Sequence, residues 1–256
     1  MGFLTSSIQV GARYARCAAH WEPHLSRTKA AILTAAALAR GRRVAVLFGA
    51  GLLHDVPLRE LSEMFEEVVL VDVVHTLRAR FIASCFRNVR LCTLDVTGIA
   101  ALLPNLGPDI VQPLPRSGPT AFLDEERLDL SVSVNLLSQL VWVPGRYLKG
   151  RGPEAELLEW RRHLLEAHLH YLLRLKGHTA LVTDVSWRAE RLTGGNNRLP
   201  LSEQEWDVLQ GVALPEPDAQ WDWSIAPAPE RSTEFNYVAR VHAYTDWKRS
   251  AGGLFE

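Results

Sequence analysis

Hydrophobic and polar positions alternate in three regimes along the chain. Residues 3–40 follow a helical rhythm. Within them the alanine-rich stretch Thr28 to Ala39 stops at Arg40-Gly41, a C-terminal helix signal. Pro23 follows Trp21 and Glu22, where a first helical turn tolerates its missing N–H. A separate short helix from about Gln9 to Trp21 is therefore expected before it. The second regime begins at Val44-Ala45-Val46-Leu47-Phe48, an apolar run without polar alternation that ends in Gly49-Ala50-Gly51. Such a run suits a strand buried on both faces of a parallel sheet. Pro57 to Phe65 returns to helical spacing through Leu58, Leu61 and Phe65. Val68 to Val71 predicts a second strand closed by Asp72, Thr76 to Phe86 a polar helix, and Asn88 to Leu94 a third strand closed by Asp95. Strand and helix in strict alternation predict a mainly parallel α/β sheet.

Prolines and glycines make residues 103–127 mostly loop. Leu128 to Val134 gives a fourth strand ending at Asn135. Pro153 to Lys176 gives a long helix with Leu158, Leu165, Leu169 and Leu172 along one face and Gly177 as its stop. A fifth strand runs from about Thr179 to Val185 and carries Asp184 near its end. Ser202 to Val208 predicts a short helix, with Ser202 as N-cap and Glu205 at the capping-box position. The third regime alternates with period two: Trp221-x-Trp223-x-Ile225, then Phe235-x-Tyr237-x-Ala239-x-Val241-x-Ala243. These read as two antiparallel strands joined by a Pro-rich loop. Neither internal repeats nor low-complexity tracts interrupt the pattern.

Composition narrows the function classes. Apolar residues make up 47% of the 256, enough for a core without disulfide or metal staples. The 28 basic and 29 acidic residues give a net charge of −1, which argues against a general nucleic-acid surface. Cys17, Cys85 and Cys92 are odd in number and lack C-x-x-C spacing, so reduced thiols are expected, with Cys85 and Cys92 as small core or boundary residues. Met1 to Gln9 lacks the features of a signal peptide, and no apolar run approaches the ~20 residues of a membrane helix. The expectation is a cytoplasmic protein with no membrane partner. His163, His168 and His170 share no i, i+3 or i+4 spacing, so no metal site is expected on that helix.

In a parallel α/β sheet, ligands bind beyond the C-terminal strand ends, and polar residues collect there in this chain. Gly49-Ala50-Gly51 follows the first strand, and Asp72, Asp95, Asn135 and Asp184 follow the next four. Glycines allow close approach to a ligand, and an acid about 20 residues later can accept bonds from a ribose. Simpler roles stand beside these: a tight turn for Gly49 and Gly51, a helix cap for Asp72, a turn for Asp95.

Residues 44–97, and more loosely the strand order to about 245, resemble the class I S-adenosylmethionine-dependent methyltransferases. The resemblance implies a Rossmann-like sheet with an antiparallel C-terminal strand pair, formed by residues 41–256 beneath an N-terminal helical cap of residues 1–40. It also implies S-adenosylmethionine as cofactor. Gly49, Ala50 and Gly51 would then pass the methionine part, Asp72 would hold the ribose hydroxyls, Asp95 with Val96 would meet the adenine, and Asn135 would lie near the sulfonium and the acceptor. The chain departs from the family pattern where Val46 or Leu47 replaces an acid and Leu53 a third glycine. Asn135-Leu136-Leu137-Ser138-Gln139-Leu140 stands in place of the Asn/Asp-Pro-Pro-aromatic motif of base methyltransferases.

The expected reaction is methylation of a small molecule, with Asp184 or His24 as a base where one is required. Tyr14, Trp21, Ser138 and Trp142 are candidates for a lid or an acceptor wall; Trp21 and Trp142 could equally be packing residues. Two alternatives stay open. One is use of the cofactor's aminocarboxypropyl part, as in azetidine-2-carboxylate synthases, releasing methylthioadenosine. The other is a non-catalytic nucleotide- or partner-binding role on the same fold.

Overall fold

The computed structural model describes residues 2–103, 114, 118–192 and 202–253 of the chain. The five-residue apolar run Val44–Phe48 (β1) is buried throughout and lies at the heart of an eight-stranded sheet. Glu67–Asp72 (β2) and Val89–Thr93 (β3) extend the sheet on one side of it. Leu128–Val134 (β4) and His178–Arg191 (β5) follow on the other. These five strands are parallel. Ser202–Asp207 (β6), Ala219–Ala226 (β7) and Phe235–Tyr244 (β8) are antiparallel additions, in the order β3-β2-β1-β4-β5-β8-β7 with β6 beside β5.

The alternation of a strand sorts its neighbours into two layers. Ala45 and Leu47 of β1 pack with Ile32, Ala35 and Ala36 of the helix Phe3–Leu38 (α1) and with Leu58–Met64 (α2) and Leu77–Ser84 (α3). Val44, Val46 and Phe48 pack on the other face with Glu154–Arg174 (α5) and Trp247–Ala251 (α6). A 3₁₀ segment, Leu137–Val141, and a short helix, Trp142–Leu148 (α4), follow β4. The earlier part of α1 reaches across to the C-terminal strands, where Cys17, Trp21 and Leu25 join Trp221, Trp223, Ile225 and Val241. α1 thus covers the sheet from β7 to β1, sharing its core.

Several elements differ from the sequence expectation. Pro23 lies inside α1, not in a first turn, and the backbone breaks at Cys17 (φ −112, ψ 16), one to two turns before it. Ser202–Asp207 is a strand, not a helix: it pairs Trp206 with Trp187 and Glu205 with Arg188, and Glu205 accepts from Ser186 instead of capping a helix. A ladder offered by the neighbouring strand has overridden the local capping signal. On α5 the buried stripe runs through Leu157, Trp160, Leu164, Leu165, His168, Leu169 and Leu172, whereas Leu158 is exposed. Cys85 is exposed at the end of α3. β5 is twice the expected length, so Asp184 stands mid-strand. Most of the expected 103–127 loop lies outside the described residues.

Candidate functional site

A cavity of about 800 Å³ opens beyond the C-terminal ends of β1 to β4. That is within the usual size range of small-molecule sites. Gly49, Gly51, Asp72, Asp95, Val96, Asn135 and Asp184 all line it; Ala50 is buried behind the turn and does not.

The turn after β1 is built for close approach. Gly49 has φ +87, and a Cβ on it would meet the Val134 carbonyl oxygen at 2.4 Å. A Cβ on Gly51 would stand 2.7 Å from the Asp72 carboxyl carbon. The reason is a direct link: Gly51 N–H donates to Asp72 Oδ2 at 2.9 Å, while Val74 N–H donates to Oδ1 at 3.1 Å. Each oxygen keeps a lone pair for a further donor. Burial nevertheless pushes the Asp72 carboxyl above the usual carboxylate range, against the pull of those amides.

Asp95 serves the turn that follows it. Oδ1 accepts from Thr97 N–H at 2.9 Å and Thr97 Oγ1 at 2.6 Å, and Oδ2 from Ala100 N–H at 2.7 Å. The turn role therefore holds in the structure, with Val96 buried beside it at the cavity wall.

Asn135 leaves β4 at φ +47 and anchors to β5 through its N–H to the Val182 carbonyl, at 2.8 Å. Its Nδ2 lies 2.7 Å from Asp55 Oδ2 and 3.3 Å from His24 Nε2, and its Oδ1 is buried without a partner. His24 stacks on Trp223 at 4.0 Å, and its Nδ1 accepts from the Trp221 indole at 3.1 Å. Burial lowers the His24 pKa to about 3, so the ring is neutral at ordinary pH. Its one lone pair is thus engaged by an indole, which sets it apart from the expected base.

Asp184 sits at a register shift of β5, between the residues paired with β4 and those paired with β6. Bulges of this kind re-aim a side chain. Ser138 Oγ donates to its Oδ1 at 2.5 Å, and the Trp187 indole to its Oδ2 at 2.6 Å. Burial raises its pKa. Among the described residues, Asp55, Asp72 and Asp184 form no ion pair.

Of the expected lid residues, Trp21 is buried and donates its indole N–H to the Ile225 carbonyl at 3.1 Å; Trp142 is 61% exposed at the rim. Tyr14 stacks on His54 at 3.7 Å and does not reach the cavity wall. The sequence reading missed Asp55, Trp187 and Trp223, which all line the cavity. The Trp221-x-Trp223 alternation put those two rings on one face; Asp55, in a Leu-Leu-His-Asp loop, carried no such signal. Among the described residues no helix is long and apolar enough to cross a membrane, and no group of three or more His, Cys, Asp or Glu could hold a metal. His168 instead meets Ser133 Oγ at 3.0 Å inside the core.

No protein-family model and no curated protein matches the chain. Solved structures do. The N-methyltransferase NodS from Bradyrhizobium japonicum WM9 is 12% identical over 86% of this chain and 94% of its own, with a TM-score of 0.37. A DhpI–SAM–HEP complex is 14% identical over 94% and 98%, also with a TM-score of 0.37. The 1,6-didemethyltoxoflavin-N1-methyltransferase of Burkholderia thailandensis is 16% identical over 94% and 90%, with a TM-score of 0.31. Similarity this distant transfers no residue and no substrate, so the site is interpreted from its own geometry.

Proposed function

We propose that the chain binds S-adenosylmethionine in this cavity and transfers its methyl group to a small molecule. The observation that carries the proposal is the unit made by the glycine turn and Asp72. Gly51 must lack a side chain because its backbone N–H reaches the carboxylate, and the same carboxylate retains lone pairs toward the cavity. That arrangement suits a vicinal diol held against bare backbone, as a ribose would be.

The rest of the cavity suits a cation with an apolar body. Among the described residues Asp184 and Asp72 are buried acids without an ion-pair partner, and a positive ligand would supply one. Trp21, Trp187 and Trp223 line the same cavity, Trp187 directly against Asp184. Arg146 stands at the α4 wall, where a ligand carboxylate could be paired; Arg161 beside it is already paired with Glu154 at 3.0 Å. When bound, the cofactor supplies an activated methyl for in-line attack. The chain's own work is to orient the two molecules and to exclude water.

Calorimetric titration tests the reading. S-Adenosylmethionine and S-adenosylhomocysteine should bind and NAD should not. Asp72→Ala should weaken binding about tenfold or more, because charge-assisted bonds to the diol are lost, while the fold is kept. Incubation with a metabolite extract should yield S-adenosylhomocysteine, identified by mass spectrometry. Methylthioadenosine from cofactor alone, or NAD binding alone, would overturn the proposal.

A further inference from the structure

Asp184 stands apart from the ribose end of the cavity. In the sheet order it is three strands from Asp72, through β1 and β4 to β5. At about 4.8 Å per strand that is about 14 Å. Residues three apart on a regular strand point to opposite faces. The register shift of β5 removes that difference: Asp184 pairs with Val241 and Trp187 with Ala239, so both side chains stand on one face. The face continues sideways. Trp187 is also opposite Trp206 on β6, and Ala239 is opposite Trp223 on β7. Directly opposite residues share a face. Trp206, Trp187 and Trp223 therefore form one row across the antiparallel strands, and all three line the cavity.

The acid at the end of this row keeps places for a donor. Ser138 Oγ fills one position on Oδ1 and the Trp187 indole one on Oδ2. Each carboxylate oxygen accepts two bonds, so one lone pair remains on each. Both donors are half-buried residues of the cavity wall. A sulfonium brings charge but no N–H or O–H, so it cannot fill these places. An ammonium brings both. A carboxylate or phenolate brings like charge against the acid.

We propose that Asp184, Ser138 and Trp187 form the acceptor's subsite, and that the acceptor is a primary or secondary amine on an aromatic body, its nitrogen bonded to Asp184 and its ring against the tryptophan row. The inference rests on the transferase reading and names its substrate class. The amine arrives as an ammonium and passes one N–H proton to the Asp184 carboxylate, which frees the nitrogen lone pair. That pair forms the bond to the methyl carbon as the carbon–sulfur bond breaks, its electrons staying on sulfur. The positive charge thereby moves from sulfur to nitrogen. Burial raises the Asp184 pKa, which makes it a better proton acceptor than an exposed carboxylate.

Binding tests the subsite without turnover. Benzylamine, phenethylamine and tryptamine are titrated by calorimetry beside the alcohols of the same skeletons: benzyl alcohol, phenethyl alcohol and tryptophol. Each goes into the protein saturated with S-adenosylhomocysteine and into the protein alone. An amine of the set should bind tighter than its alcohol by about tenfold or more, the worth of one charge-assisted bond, and Asp184→Asn should reduce that ratio to about one. Amines no tighter than their alcohols throughout the set, or a preference that survives Asp184→Asn, overturn the subsite. The wild-type ratios decide even if the variant misfolds. Turnover with methyl-labelled S-adenosylmethionine and a metabolite extract should place the label on nitrogen; label on oxygen or carbon alone overturns the amine. If S-adenosylhomocysteine does not bind, or no labelled product forms, the cofactor or transferase reading fails by itself, and the amine–alcohol ratios in the unliganded protein still decide the subsite.

Discussion

At the residue scale the site is governed by what buried acids do when no cation is present. Asp184 is held by a hydroxyl and an indole, and Asp72 by two amides, yet burial pushes both carboxyls above their usual range. Hydrogen bonds to a carboxylate favour ionisation, so desolvation is the stronger effect at each. A ligand that brings a positive charge should draw these acids into their ionised form and release protons. S-Adenosylhomocysteine lacks the sulfonium charge and should release fewer. Calorimetry in buffers of different ionisation enthalpy reads this directly. The difference in protons released by the two nucleosides should shrink in Asp184→Asn, whose amide can accept from Trp187 and donate to Ser138. An unchanged difference would assign the effect elsewhere, with Asp72 the next candidate.

At the element scale the first half of α1 is unlike the second. Residues 24–38 are pinned by His24, Leu25, Ile32, Ala35 and Ala36 against the sheet. Before the break at Cys17, Ser6, Ser7, Val10 and Arg13 line the cavity while Leu4 and Ile8 stand more than half exposed. Such a segment has few buried contacts to lose on opening. Saturating S-adenosylhomocysteine should therefore slow amide exchange in residues 3–16, by about tenfold or more if the half-helix closes on the ligand, and leave residues 24–38 unchanged. Equal exchange with and without ligand would make this half-helix a static wall. The same contrast explains what the sequence could reveal. The run from Val44 to Asp72 was legible because continuous burial, a glycine turn and a terminal acid each write a local pattern. The strand Ser202–Asp207 was not, since its partner β5 supplies the order that Ser-Glu-Gln-Glu-Trp-Asp lacks. Asp55 was not either: its side-chain partner is Asn135, 80 residues away.

At the scale of the whole molecule, two buried histidines on opposite faces of the sheet set a common response to acid. His24 is a buried residue of α1 and His168 of α5, and burial lowers the pKa of each to about 3 from 6.5. Between those values the unfolded chain binds a proton at each histidine that the folded chain refuses. Stability must therefore fall on acidification below pH 6.5, by about 1.4 kcal/mol per pH unit for each histidine. The raised acids act with the opposite sign. Asp55, Asp72 and Asp184 keep protons in the folded state that the unfolded chain has released, so their contribution is full below about pH 4 and is lost as pH rises through their folded pKa values. In the window from 4 to 6.5 the two sets oppose one another, and the unliganded protein should show a shallower acid dependence than its histidines alone would give. Removing one histidine isolates the terms. His168→Gln can keep a bond to Ser133 but cannot titrate. Urea unfolding at half-unit steps should show the variant less stable at pH 7.5, and its slope between pH 4 and 6.5 reduced by about 1.4 kcal/mol per pH unit. An unchanged slope would mean that His168 is protonated in the folded core, with its second nitrogen finding a partner that the structure does not give it.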